Sequence, residues 1–175
     1  MSERNNDGLN FTVDDKTVFD KTVNHEFFGD NDAELIFEAL KSGLVKRSFG
    51  DYLKRYICRR AELEGDWRDI PLNVYRRIIM ESFGDNSTPA SFSPTTAKLS
   101  ALTKNWLTQD TVKRKVVFLL AFGLGMSEED VSYFLIKVLR ERDINPKDPF
   151  ELICWYCIRN RLGYPKCAQL LEQFE

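Results

Sequence analysis

The chain has 175 residues, of which 43% are hydrophobic and 30% charged, and its formal net charge at neutral pH is −2. This is the composition of an ordinary globular protein, long enough to bury a core without metals or disulfides. It contains no apolar run of the roughly 18–20 residues that a membrane span needs, and its N-terminus, MSERNNDGLN, does not resemble a signal peptide, so we expect a cytoplasmic protein.

The charge is distributed unevenly along the chain. Residues 1–45 carry four basic and ten acidic side chains, residues 46–115 carry fourteen and eight, and residues 116–175 carry seven and nine. A basic middle segment between acidic flanks is expected of a protein that binds an anionic partner such as nucleic acid. The alternative is that the acidic N-terminal lobe itself pairs with the basic segment.

Residues 1–30 are predicted to form an irregular N-terminal segment, because their polar and β-branched residues follow no regular spacing. A single helical domain is predicted to follow over residues 31–175. Its first helix is expected over 32–44, where apolar residues fall on one face, and Gly43 is expected to end it.

The next helix is predicted to begin after Ser48 and to end at Gly65. Its apolar residues, which include Tyr52 and Leu53, share one side. Four basic residues lie off that side and are expected to face water or a partner: Lys54, Arg55, Arg59 and Arg60.

Pro71 suits the first turn of another helix, predicted over 71–83. Residues 84–96, GDNSTPASFSPTT, are rich in Ser, Thr and Pro and are predicted to be a loop that separates N-terminal helices (31–83) from a C-terminal helical bundle (97–175).

The helical pattern continues to the end of the chain. Ser127 and Asp130 have the spacing of a capping box, with Asp in place of the usual Glu. The helices are predicted over 95–107, 111–124, 128–141, 149–160 and 164–174. We therefore predict an all-α fold, a compact bundle of about seven or eight helices.

The centre of the core is predicted from large apolar residues at helical spacing. Phe118 and Phe122, four residues apart, should lie on one face of their helix. The complete predicted set is Trp106, Phe118, Phe122, Phe134 and Trp155.

Cys154 and Cys157 have the CxxC spacing found in zinc and redox sites. They lie within the apolar run LICWYCI, and the single histidine, His25, is far away in sequence, so the four ligands of a zinc site are not at hand. We interpret both as buried thiols. We predict no metal, no cofactor and no catalytic residue, because phosphate loops, dinucleotide fingerprints and nucleophile–histidine sets are also missing from the sequence.

Several segments carry a family resemblance. SFGDYL at 48–53 and LLAFGLGMSEEDVSYFL, within 113–135, are similar to segments of small bacterial proteins of the Xre-like helix-turn-helix type that carry an extra helical tail. The segment 34–44 matches the leader helix of that group, and 153–171 matches its tail. The tail bundle by itself resembles death-fold-like interaction modules.

This resemblance implies a DNA-binding regulator in which 72–83 is the recognition helix, with Asn73, Arg76 and Arg77 as base or phosphate readers. The segment GDWRDIPLNVYRRIIMESF stands where the group has a short helix, a tight turn and the recognition helix. Either the DNA-binding half has diverged, or only the helical scaffold is retained.

Two functions are therefore predicted. The first is a non-enzymatic helical protein-interaction or regulatory module, whose partner is another protein or another copy of the chain. The alternative is a diverged helix-turn-helix transcriptional regulator that binds nucleic acid. For both, the predicted binding residues are the basic and polar side chains of the middle segment: Lys54, Arg55, Arg59, Arg60, Asn73, Arg76, Arg77, Lys113, Arg114 and Lys115.

Overall fold

Seven α-helices follow one another along residues 47–175, the part of the chain that the computed structural model describes. Helix bounds are α1 Phe49–Arg60, α2 Leu72–Asp85, α3 Leu99–Thr108, α4 Arg114–Leu124, α5 Glu128–Tyr133, α6 Pro149–Arg159 and α7 Tyr164–Phe174. A π-helical turn, Phe134–Val138, continues α5 directly. No strand occurs within 47–175, which confirms the all-α prediction. The irregular segment 1–30 and the helix 32–44 that the sequence predicts lie outside the described residues.

Short-range side-chain caps start three of the helices. Ser48 Oγ accepts the backbone N–H of Asp51 at 3.1 Å, and the Asp51 carboxylate accepts the N–H of Ser48 at 3.4 Å. Ser127 and Asp130 form the same reciprocal pair before α5, at 3.1 and 3.2 Å. Asp148 caps α6. The two serine caps confirm the sequence prediction, because a capping box depends on residues only three apart.

Two of the predicted helix ends differ from the observed ones. α1 ends at Arg60 and not at Gly65, since the N–H of Leu63 turns back to the carbonyl of Cys58 at 2.9 Å while Glu62 takes the left-handed conformation. A helix end with one left-handed residue usually has glycine at that position. In this protein four such positions after helical segments are occupied by a residue other than glycine: Glu62, Ser87, Arg140 and Arg161. The predicted end at Gly65 was therefore wrong, and the predicted helix 128–141 ends at Val138 for the same reason.

α4 is the central helix of the fold. Every side chain from Val117 to Leu124 is buried, and α2, α5, α6 and the π-helical turn pack around it. Four of the five predicted core aromatics are buried: Trp106, Phe118, Phe122 and Phe134. The prediction for Trp155 was wrong, because this side chain is only partly buried.

Two glycines allow close packing between helices, one against a backbone carbonyl group and the other against an aromatic ring. A Cβ on Gly50 would overlap the carbonyl group of Leu107, and a Cβ on Gly123 would overlap the ring of Phe83. At the first site the N–H of Phe49 donates to the carbonyl of Asp110 at 2.8 Å. The start of α1 thus rests directly on the end of α3, which satisfies backbone groups that both helix ends leave open.

Candidate interaction site

The basic residues predicted to bind a partner have different environments. Arg55 is only 6% exposed, so the prediction that it faces water was wrong. Arg59, Asn73, Arg77 and Lys113 are exposed.

Arg114 lies at the centre of an internal polar network. Its Nε and NH2 atoms donate to the two carboxylate oxygens of Glu151, each at 2.8 Å, in a bidentate pair. NH1 also donates to Glu141 at 3.1 Å and to the carbonyl of Arg142 at 2.7 Å. These bonds hold the start of α4 to α6 and to the preceding connection, so Arg114 has a structural role in the fold.

Other predicted residues also have partners within the chain. Arg60 donates to the carbonyl of Gly125 at 2.9 Å and to the Tyr56 hydroxyl at 2.6 Å. The Arg76 guanidinium donates to the carbonyl of Ser100 at 2.8 Å. Intramolecular contacts thus occupy part of the basic set.

The remaining two predicted residues make weaker contacts. Lys54 Nζ lies 3.5 Å from Asp51 on the same helix, and Lys115 Nζ lies 4.7 Å from the ring centroid of Phe150. An ion pair of this length between neighbouring turns of one helix holds its side chain only weakly, although the Lys54 side chain is only 22% exposed. Lys115 is exposed and can contact a partner, whereas only a small part of the Lys54 side chain is accessible.

A different surface stands out on α6. Leu152 and Tyr156 are four residues apart. Leu152 is 41% exposed to solvent and Tyr156 is 49% exposed. Trp155 lies between them, and the guanidinium of Arg159 stands 5.1 Å from its ring centroid. With Asp148 at the helix start, these residues follow the i, i+4, i+7, i+8, i+11 spacing of one helix face. We call this face the α6 stripe: Asp148, Leu152, Trp155, Tyr156 and Arg159.

The opposite face of α6 lies in the core. Glu151, Cys154, Cys157 and Ile158 are all buried there. α6 is therefore apolar on both sides, although only one side is covered within 47–175. A surface helix of a globular protein normally has an apolar side and a polar side.

Three thiols meet where α6 packs on α7. Cys154 Sγ lies 3.8 Å from Cys167 Sγ, and Cys157 is equally buried. The hydrogen bond with Cys167, together with burial, raises the pKa of Cys154, and burial raises that of Cys157 to about 12. No cluster of metal-ligating side chains is found within the described residues. The predicted burial of Cys154 and Cys157 is confirmed, and the sequence pattern did not indicate Cys167 as their neighbour.

We expect Cys154 and Cys157 to react very slowly with a thiol-specific reagent at pH 7. A buried thiol with a raised pKa forms little of the reactive thiolate. Reaction rates followed in native and in denaturing buffer check this, with half-buried Cys58 as the internal reference. Rapid native labelling at position 154 or 157 would show that α6 and α7 separate readily.

A polar groove of about 540 Å³ lies beside the C-terminal end of α6. Its lining includes the apolar residues Phe122, Met126 and Ile158 and the charged residues Arg161 and Glu129. A smaller groove of about 290 Å³ adjoins it. The two share Arg60, Asn86 and Gly125 as lining residues. Because both charge signs line the larger groove, its charge favours no single ligand class.

The sequence pattern did not reveal the α6 stripe. In LICWYCI every residue is apolar, so periodicity cannot separate a buried face from an exposed one. The sequence could have indicated the α6 stripe in one way only. A helix that is apolar on all sides must pack against other parts of the protein or a partner on every side.

Comparison with protein families, with curated proteins and with solved structures finds no match to this chain. No helix within 47–175 is long and apolar enough to cross a membrane.

Proposed function

We propose that this protein is a non-enzymatic interaction module that binds a protein partner through the α6 stripe. The observation that carries the proposal is the exposure of Leu152 and Tyr156 on a helix whose other side is already in the core. Contiguous apolar groups that water reaches on a folded surface mark places where another molecule binds.

The composition of the stripe supports a protein partner. Its middle is apolar and aromatic, and its two ends carry the charged residues Asp148 and Arg159. Protein interfaces have this arrangement, with an apolar centre and a polar rim. Tyr, Trp and Arg are also the residues that most often carry binding energy. The sequence predicts a cytoplasmic location. That location would keep Cys154 and Cys167, whose Sγ atoms lie only 3.8 Å apart, in the reduced state.

Nucleic-acid binding, the alternative, has less support. Arg55 is buried, and Arg60, Arg76 and Arg114 bond within the chain. The connection between α1 and α2 runs from Ala61 to Pro71, whereas helix-turn-helix motifs join their helices by three or four residues. The helix-turn-helix proposal would gain support from a gel shift on duplex DNA that weakens steeply with salt.

Site-specific photo-cross-linking in the source cells tests the proposed interaction. A benzophenone amino acid placed at Tyr156 should yield a discrete covalent adduct with a protein, another copy of this chain included. The same group at Met80 is the matched control, because Met80 is 40% exposed on α2 and lies outside the stripe. We expect adducts at 156 and none of comparable yield at 80.

Equal adduct yields at the two positions would show only that both side chains meet solvent and passing proteins. A folded variant that gives no adduct at 156 would contradict the proposed function. Circular dichroism of each variant establishes that it is folded.

A further inference from the structure

We infer that the α6 stripe packs antiparallel against the same stripe of a second copy of this chain, so that the protein is a symmetric dimer. This inference rests on the proposed function, because it identifies the partner of the α6 stripe.

The order of residues along the stripe is self-complementary. It begins with acidic Asp148, continues through Leu152 and the aromatic pair, and ends with basic Arg159. When two such helices pack antiparallel about a two-fold axis near residue 154, Leu152 of each copy faces Tyr156 of the other. The same register brings Asp148 of each copy close to Arg159 of the other, and the two-fold axis makes each contact occur twice.

The charged ends distinguish the antiparallel arrangement from the parallel one. Parallel packing would place Asp148 beside Asp148 and Arg159 beside Arg159, and like charges at short distance repel. Antiparallel packing replaces both repulsions with attractions and also opposes the two helix dipoles favourably.

Both charged groups have capacity for these contacts. The cap of α6 uses Asp148 Oδ1, which accepts the N–H groups of Phe150 and Glu151 at 2.9 and 3.4 Å, so Oδ2 remains for an ion pair. Arg159 is exposed, and its guanidinium lies near Trp155 at 5.1 Å from the ring centroid. The planar guanidinium can keep this ring contact while its N–H groups donate to a carboxylate.

The apolar middle supplies the driving force for association. In a single copy Leu152 and Tyr156 remain in water, and a second stripe would cover both together with the open part of Trp155. Burying apolar area is the main favourable term in most protein association.

Sedimentation velocity over about a hundredfold range of protein concentration tests the dimer, since mass action sets its population. We expect the wild type to dimerise. Tyr156→Glu should raise the dimer dissociation constant by about 30-fold or more, as for a central interface aromatic. Met80→Glu, the same chemical change on α2, should leave the constant within about twofold, as expected outside an interface.

A charge cycle tests the antiparallel register. Arg159→Glu places an acidic side chain opposite Asp148 and should weaken the dimer about tenfold. Asp148→Asn keeps an N-cap residue but removes its charge. The double variant Asp148→Asn, Arg159→Glu should therefore dimerise more tightly than Arg159→Glu alone. Equal dissociation constants for the single and double variants would overturn the register.

A wild type that stays monomeric throughout, or a dimer that Tyr156→Glu leaves intact, overturns the inference. If the wild type is monomeric and the photo-adduct at 156 contains a different protein, only the inference fails and the proposed function stands. If it is monomeric and no adduct forms at 156, both fail.

Discussion

Replacing Phe122 with alanine is expected to lower the free energy of unfolding by about 3–5 kcal/mol. Phe122 is buried on central α4, with its ring centroid 6.3 Å from that of Phe92 in the connection between α2 and α3 and 6.0 Å from that of Tyr164 at the start of α7. Removing the ring would leave a cavity where three separate parts of the chain meet, and rigid surroundings collapse only in part.

Urea denaturation followed by circular dichroism measures this loss. Phe174→Ala is the matched control, because Phe174 is 63% exposed and its loss should change stability by about 0.5 kcal/mol or less. A loss of less than about 1 kcal/mol for Phe122→Ala, well below the range for buried phenylalanine, would mean that its site opens to water.

Replacing Glu151 with glutamine is the second change with a large expected effect, about 3–5 kcal/mol. Glu151 is buried and accepts both bonds of the Arg114 fork as well as the N–H of Asn145 at 2.8 Å. The variant would leave the Arg114 guanidinium, whose side chain is 18% exposed, without its buried counter-charge.

The effect of Glu151 should depend on pH. Burial by itself raises the pKa of this carboxyl, but the hydrogen bonds from Arg114 and from the N–H of Asn145 outweigh it and lower the pKa below its ordinary value. A carboxylate with a lowered pKa stabilises the fold above its unfolded pKa of about 4.3, and that contribution disappears as pH falls through the folded pKa.

Denaturation of wild type and Glu151→Gln at pH 7 and at a series of acidic pH values measures this dependence. The difference between the two proteins should be largest at pH 7 and should shrink below about pH 4. Glu141→Gln is the control, because Glu141 bonds the same arginine at 3.1 Å but is exposed, so it should cost about 1 kcal/mol or less. A Glu151→Gln deficit that stays constant with pH would show that the carboxylate charge is not what stabilises the pair.

The two helices that begin after a serine cap show which parts of the fold short-range sequence can predict. The helix start at Ser48 and the capping box at Ser127 occur where the sequence predicts them, and in both the capping residues are three apart. α6 and α7 likewise occur within one residue of their predicted bounds, because Asp148 and the prolines near their starts act locally.

The candidate site could be predicted only in part. The sequence identified the basic residues but not their pairing, because Arg114 meets Glu151 across 37 positions of sequence. It also could not assign the two faces of α6, and Trp155 was therefore placed in the core. Which apolar residue is buried depends on which helices pack beside it, and that information is spread over the whole chain.

The sequence by itself thus determined the helical class and the starts of α1, α5, α6 and α7, since periodicity and capping depend on neighbours within one or two turns. The helices predicted to begin at 95 and 111 begin at Leu99 and Arg114, where no side chain caps the helix, and the predicted loop 84–96 is observed over 86–98. Tertiary structure decided which arginines bond within the chain and which face of α6 meets water. These outcomes depend on contacts between residues far apart in sequence, such as Arg60 with Gly125. Whether a charge is paired or an apolar face is covered is settled only when the helices pack.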